Sequence, residues 1–464
     1  MSKCYLLFIQ TRLFIDRYIT SATPRFTLHQ ADQYWQENDT ILVVRLGERK
    51  IVLPFEYKVV AINRNAHTLT LQRVAILNQT VDLREVTEAR VASVNYQEYD
   101  AIEITQHQCD YIRAQMGGPR MDEKNLLNAV QNYIAARGYY FDEETLYNYH
   151  ICLKTRPFVI LAGISGTGKS KLSQLYAEAL GNRTRYLRLP VRPNWSDDRY
   201  LLGYFDTITG EYITEPAVEF LLEANADNDH LHFFCLDEMN LAHVEYYFSQ
   251  FLSAMEEERP EDRRITLLSK RVQQQMLNTP ERAEIARKLA QVLIPTNLFF
   301  TGTINVDETT QPISDKVMDR ANTLEFFRVD LDKIRQPTDP PQPVNISAYT
   351  WRSYQTAQPD TRFRPQIVEI SRILNEADLG LGYRVLHEIE LYVANSKGLL
   401  DPLDAFDLQV KQRILPRVRG SEVISEMVDT LLAYLKAQRL TRSEQRLAEI
   451  KKRLKRDGYT NFWR

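Results

Sequence analysis

Short apolar runs of strand character dominate the chain from Met1 to about Gln115. They include the opening run through Ile9, then Ile41 to Leu46, Lys50 to Phe55, Tyr57 to Ile62 and Leu69 to Val74. The last two are joined by Asn63-Arg64-Asn65-Ala66-His67, a polar break that predicts a hairpin. A small β-rich N-terminal domain is therefore expected over residues 1–115. Gly117-Gly118-Pro119 interrupts the chain, and Leu126, Leu127, Val130, Tyr133 and Ile134 then recur at helical spacing. This predicts a helical connector over 116–150. Between 151 and 330, buried-strand runs alternate with amphipathic helices, the pattern of an α/β core on a mostly parallel sheet. Pro337, Pro340, Pro341 and Pro343 mark a linker, and the rest of 331–464 reads as a helical lid, with Ile367, Ile370, Ile373 and Leu374 as one apolar stripe. The fold class expected is multidomain α/β.

At 464 residues the chain can build two or three cores. It has no run of about 18 apolar residues that could span a bilayer, so a soluble, cytoplasmic protein with no membrane contact is expected. The four cysteines, Cys4, Cys109, Cys152 and Cys235, are too scattered for a metal pair or a disulfide framework and fit a reducing compartment. A net charge of −3 gives no overall basic footprint, so any nucleic-acid contact must be local.

The chemistry is concentrated in the α/β segment. The strand-like run Phe158 to Ala162 leads directly into Gly163-Ile164-Ser165-Gly166-Thr167-Gly168-Lys169-Ser170, and Leu172, Leu175, Tyr176, Ala179 and Leu180 then mark one face of a helix. Strand, G-x-x-x-x-G-K-S and helix together define a phosphate-binding loop. Its backbone N–H groups curl around phosphate oxygens, Lys169 reaches the β and γ phosphates, and Ser170 ligates Mg²⁺. A second apolar run, His232 to Leu236, ends in Asp237-Glu238. Alone this could be a solvated strand end; downstream of a phosphate loop, Asp237 belongs to the Mg²⁺ shell and Glu238 is a general base for water. A third run, Leu298 to Ile304, ends in Asn305, either a turn residue or a group that orients the attacking water. Arg320, in Asp319-Arg320-Ala321-Asn322, is either a surface ion-pair partner or an arginine finger for a neighbouring subunit's nucleotide.

With these residues in this order, the chain resembles the McrB-like branch of the AAA+ superfamily, motor subunits of modification-dependent restriction systems. The likeness runs from about Leu126 to the C-terminus. It rests on the phosphate loop, on Val191-Arg192-Pro193-Asn194-Trp195-Ser196-Asp197-Asp198 with Leu202-Gly203-Tyr204, on Leu236-Asp237-Glu238-Met239-Asn240-Leu241-Ala242, and on Gly302-Thr303-Ile304-Asn305-Val306-Asp307-Glu308-Thr309-Thr310. It implies Walker A at Gly163 to Ser170, Walker B at Asp237 and Glu238, sensor 1 at Asn305, a finger at Arg320 and a sensor 2 arginine at Arg384, in Gly382-Tyr383-Arg384-Val385-Leu386. It further implies GTP or ATP as substrate, a ring of copies, six being usual, and a separate McrC-like nuclease. Where better-known members carry Asn-Thr-Ala-Asp, this chain has Asn305-Val306-Asp307-Glu308, which leaves the choice of base open. Glu449-Ile450-Lys451 matches a nuclease E-x-K fragment but sits in a charged helix and reads as surface.

In that branch the N-terminal region is the targeting module, and DNA with a modified base is the expected ligand. Tyr5, Phe8, Phe14, Tyr18, Phe26, Tyr34 and Trp35 supply core or base-stacking groups, and the β-rich domain loosely resembles PUA-like EVE domains. Arg12, Arg17, Arg25, Arg45, Arg49 and Lys50 offer phosphate contacts. The alternative reading is a MoxR-like or dynein-like ATPase that remodels protein complexes, with the N-terminal domain as a protein adaptor. Residues 256–295 read as a loop facing the ring or a solvated insert.

Overall fold

The computed structural model describes residues 121–463 except 228–229, 258, 291, 307–310, 335 and the side chain of 349, together with the backbone of eight strands within residues 4–104. The chain forms two compact units, one of Met1–Asp122 with Ser347–Ser353, the other of Glu123–Ile346 with Tyr354–Arg464.

In the first unit the strands are β1 (Cys4–Ile9), β2 (Arg25–Thr27), β3 (Thr40–Gly47), β4 (Lys50–Ile51), β5 (Phe55–Asn63), β6 (Thr68–Ile76), β7 (Val81–Asp82) and β8 (Ala101–Ile104). They pair in the order β2-β6-β5-β3-β1-β8, with β4 joined to β3 and β7. Only β1 and β3 run parallel among these pairs. The expected hairpin is β5–β6, with register shifts at Glu56/Tyr57 and Val59/Ala61 that mark bulges. The single strand expected from Lys50 to Phe55 is divided between β4 and β5, on either side of Pro54, which has no N–H for a ladder. The side chains of the aromatic and basic candidates here lie outside the described residues.

The second unit opens with α1 (Glu123–Ala136), which buries Leu126, Leu127, Val130, Tyr133 and Ile134, the predicted stripe. Asp142 then caps α2 (Glu143–Thr155), accepting from the Thr145 N–H at 2.6 Å. The boundary expected at residue 150 falls inside α2. Five strands follow: β9 (Phe158–Gly163), β10 (Tyr186–Pro190), β13 (His232–Asp237), β14 (Leu298–Asn305) and β15 (Asn322–Phe326), with a small hairpin of β11 (Tyr204–Asp206) and β12 (Glu211–Ile213) between. The five pair in the order β10-β13-β14-β9-β15, all parallel. Strands β9 and β13 are buried at every position, as expected for a parallel sheet covered on both faces by helices. Among the covering helices are α3 (Lys169–Ala179) and α4 (Pro216–Ala226).

Residues 256–295 are a correction to the solvated-insert reading. Beyond α5 (Ser249–Ala254) they fold into α6 (Lys270–Leu277) and α7 (Pro280–Leu289), and Ile265, Leu268, Met276, Ala286, Leu289, Val292 and Ile294 join the main core. The dense charges of this stretch hide a buried face.

After the short α8 (Asp315–Met318), the C-terminal part is mainly helical: α9 (Arg364–Asn375), α10 (Tyr383–Asn395), α11 (Pro402–Gln409), α12 (Ser425–Ala437) and α13 (Thr441–Asp457). These surround a second core that includes Ile367, Ile370, Ile373 and Leu374. A small antiparallel pair, Gly420–Ser421 with Tyr459–Thr460, departs from the all-helical expectation. Among the described residues, no helix is long and apolar enough to cross a membrane.

Candidate nucleotide site

The sheet delivers the candidate residues to the C-terminal ends of adjacent parallel strands, where open α/β sheets bind ligands. Strand β9 ends at Gly163, and α3 begins at Lys169 after a five-residue turn. Gly163 is required by close approach: a Cβ there would stand 1.9 Å from the Phe326 carbonyl oxygen of β15. Gly168 caps α3 at φ 87°, a left-handed geometry that favours glycine. The backbone therefore turns sharply and aims the first N–H groups of α3 at the space above the strand end. The Lys169 ammonium donates to the carbonyls of Gly163 at 3.2 Å and Ile164 at 2.6 Å, beside that space. Burial holds its pKa below the ordinary lysine value, against the opposing pull of Asp237 and Glu238.

Asp237, at the end of β13, meets this loop. Its Oδ1 accepts a short hydrogen bond from Ser170 Oγ and one from Thr303 Oγ1 at 2.8 Å, and its Oδ2 accepts from Arg188. Burial pushes the carboxyl up, but the bonds from Ser170, Arg188 and Thr303 outweigh it and leave the group below its ordinary value. A carboxylate and a hydroxyl in contact form a hard-oxygen pair that suits Mg²⁺, an ion usually held by one or two carboxylates plus phosphate oxygens and water. Among the described residues no cluster of three or more His, Cys, Asp or Glu is arranged to hold a metal.

Glu238 follows, exposed and held at φ 52°, and its Oε1 lies 3.4 Å from Asn305 Nδ2. The base candidate and the sensor candidate thus face one another. Two residues that carried no role in the sequence reading hold them there. Thr303 accepts from the Glu238 N–H at 2.9 Å while donating to Asp237, and the Asn240 amide brackets Asn305, donating to its carbonyl at 2.8 Å and accepting from its N–H at 3.2 Å. Thr303 has a legible signal: Thr301, Thr303 and Asn305 alternate along β14 and so share one face. Asn240 and Arg188 have none, since a loop asparagine and an edge-strand arginine are ordinary surface residues. Residues 307–310, which include Asp307 and Glu308, lie outside the described residues.

Arg320 and Arg384 are placed together, away from this cluster. Strand β15 pairs with β9 so that Asn322 stands opposite Val159 and Phe326 opposite Gly163. Arg320 precedes β15, at the sheet edge opposite the phosphate loop, roughly 13 Å of strand away at about 3.3 Å per residue. Glu256 Oε1 accepts from Arg320 Nε at 2.5 Å and forms a shorter ion pair with Arg384 Nη1. The carbonyls around Arg320 are held as well: Arg413 donates to those of Met318, Asp319 and Ala321, and Arg156 to that of Arg320. In this arrangement Arg384 does not close onto its own chain's loop, because Glu256 keeps it beside Arg320.

A cavity of 470 Å³ borders the phosphate loop at Thr167, lined by Tyr140, Phe141, Phe326, Arg442 and Arg446 among others. Arg446 stacks over Phe327 and Phe462 and pairs with Glu325 at 2.8 Å. Glu449 lines the same cavity and pairs with Arg446, while Lys451 pairs with Asp429. The E-x-K fragment is thus engaged in helix-surface ion pairs.

A family model described as a domain of unknown function (DUF8727) matches residues 344–459, about a quarter of the chain. No curated protein matches the chain. Among solved structures, the chain is similar to a candidate ATPase of Cytophaga hutchinsonii, known from a crystal structure at 2.00 Å resolution, with 14% identity, 68% of this chain and 93% of that chain covered, and a TM-score of 0.44. By its own geometry the chain is a multidomain α/β protein with a P-loop core on a parallel five-stranded sheet.

Proposed function

We propose that the chain is an AAA+ nucleoside triphosphatase that hydrolyses ATP or GTP with Mg²⁺. The observation that carries this reading is the convergence of Lys169, Ser170, Asp237, Glu238 and Asn305 at one end of the sheet. Phosphates lie on the loop and the N-terminus of α3, and the aromatic-walled cavity beside Thr167 takes the base and sugar. Ser170 and Asp237 hold Mg²⁺, which supplies charge that stabilises the transferring phosphoryl group. Glu238 accepts the proton of the attacking water, and Asn305 orients that water. Arg320 and Arg384 sit at the far edge and serve the nucleotide of a neighbouring copy, which makes a ring, six copies by resemblance, the working form. Purified chain assayed for ATP and GTP turnover, with and without DNA, tests the class. Absence of turnover under every condition, including added partner, overturns it.

The finer reading is a McrB-like motor that drives a McrC-like nuclease in the cytoplasm, with residues 1–115 recognising DNA that carries a modified base. The segments flanking the phosphate loop support it. Binding of methylated, hydroxymethylated and plain DNA by the full chain tests it. Turnover stimulated by a protein substrate and indifferent to DNA favours the remodelling ATPase instead.

A further inference from the structure

Arg188 lies on β10, the edge strand, one residue before Pro190's neighbour Leu189, in a register that sets Pro190 beside Asp237. Its guanidinium places two donors on one carboxylate oxygen: Nε bonds Asp237 Oδ2 at 2.9 Å, and Nη2 makes a shorter bond to the same atom. With Ser170 and Thr303 on Oδ1, both oxygens of Asp237 are engaged by four donor groups. These donors are unequal. Thr303 approaches from the buried face of β14, and Ser170 is itself a ligand that accompanies the metal. Arg188 alone carries a full charge, and its side chain is 49% exposed against 9% for Asp237, so it can leave without opening the core.

A divalent cation brought to Ser170 and Asp237 meets a guanidinium on the same carboxylate. Two positive centres a few ångströms apart at a partly buried site repel strongly, and Arg188 is the one free to move. We propose that Arg188 competes with Mg²⁺ for Asp237, swings off the carboxylate when Mg²⁺ and nucleotide bind together, and so sets the Mg²⁺ concentration at which nucleotide is held. The inference rests on the phosphate-loop reading but concerns a residue which that reading does not use.

The test is a Mg²⁺ titration of the full chain at fixed fluorescent ATP and GTP analogues, read as nucleotide fluorescence, for wild type, Arg188→Gln and Arg188→Lys. The half-saturating Mg²⁺ concentration should fall by about tenfold or more in Arg188→Gln, the size of about 1.4 kcal/mol of lost competition. Arg188→Lys keeps the charge without the two-donor contact and should fall between. Nucleotide binding in EDTA should be unchanged in both variants, which also shows that the site is folded. A midpoint that stays in place, or one that rises because Arg188 instead holds Asp237 ready for the metal, overturns the proposal. So does loss of binding in EDTA, which would make Arg188 a phosphate ligand. If wild type binds neither analogue with or without Mg²⁺, the phosphate-loop reading itself falls.

Discussion

Glu238 is one of three non-glycine residues with positive φ among the described residues, at 52°, and it carries the proposed base. Side chains rarely adopt that backbone, and its cost, on the order of 1 kcal/mol, is sustained here because the Glu238 N–H is bonded to Thr303 and the next turn is packed by Met239. The strained turn is what separates two neighbouring acids, sending Asp237 inward to Ser170 and Glu238 outward to Asn305. Glu238→Gln keeps the shape and the contact to Asn305 but removes the base. Turnover should fall by about 10²–10⁴-fold while fluorescent nucleotide binding persists. Loss of binding along with turnover would show that Glu238 holds the site together rather than acting on water. That the loop glycines, Lys169, Ser170, Asp237, Glu238 and Asn305 meet at one end of the sheet was legible because each follows a buried strand run at a fixed place. Thr303 shares a strand face with Asn305, but Asn240 and Arg188 act through partners 65 and 49 residues away, and no local pattern encodes such a pairing.

At the scale of elements, the C-terminal helices fix the segment that bears Arg320. Glu388 on α10 pairs with Arg156 at 2.5 Å and, more closely, with Arg413, whose side chain is 1% exposed. Arg156 and Arg413 in turn hold the carbonyls from Met318 to Ala321. Glu388→Ala leaves two largely buried guanidinium groups without their carboxylate, so stability should drop by about 3–5 kcal/mol. Denaturant unfolding measures the loss, and a change below about 1 kcal/mol would show that the network contributes little.

A different dependence sits at the start of β13. His232 is fully buried, packs edge-to-face on Phe220 at 5.5 Å, and has Asp227 Oδ2 4.0 Å from its Nε2. Burial holds its pKa down to about 4, against the opposing pull of the Asp227 carboxylate. The unfolded chain takes up the proton from near pH 6.5 and the folded chain only near 4, so this contribution is full above pH 6.5 and is lost as the pH falls through that window. The loss is about 3 kcal/mol at most. His232→Phe should flatten the difference between unfolding curves at pH 7.5 and pH 5; an unchanged slope assigns the acid sensitivity elsewhere. Element type was readable from period, as the α1 stripe and the runs of β9, β13 and β14 illustrate. The 256–295 segment was not, because α6 and α7 together bury only four side chains amid many charges, and a face that thin resembles solvated surface.

At the scale of the whole molecule, the placement of the arginines determines how the site can be completed. Arg320 stands at one end of β15 and the phosphate loop follows the other end of its neighbour β9, with a packed sheet between them. A side chain cannot span that distance, so the proposed finger role of Arg320 requires the phosphate of another copy of the chain. Glu256 binds Arg384 to the same edge, which gives both arginines the same partner. Lys169→Ala and Arg320→Ala should each lack turnover, the first through lost nucleotide binding and the second with binding intact. Mixed rings of the two, made by co-expression with different tags, regenerate a complete site wherever the Arg320→Ala copy's loop faces the Lys169→Ala copy's arginine. About a quarter of the interfaces in a one-to-one random ring meet that condition, so about a quarter of wild-type turnover should return. Arg384→Ala mixed with Lys169→Ala should recover in the same way, since Arg384 travels with Arg320. Recovery with Arg320→Ala but not with Arg384→Ala would mean that Arg384 leaves Glu256 to act on its own chain. Recovery with neither would place the finger elsewhere, and Arg442 and Arg446 of α13, which line the cavity, would be the next to substitute.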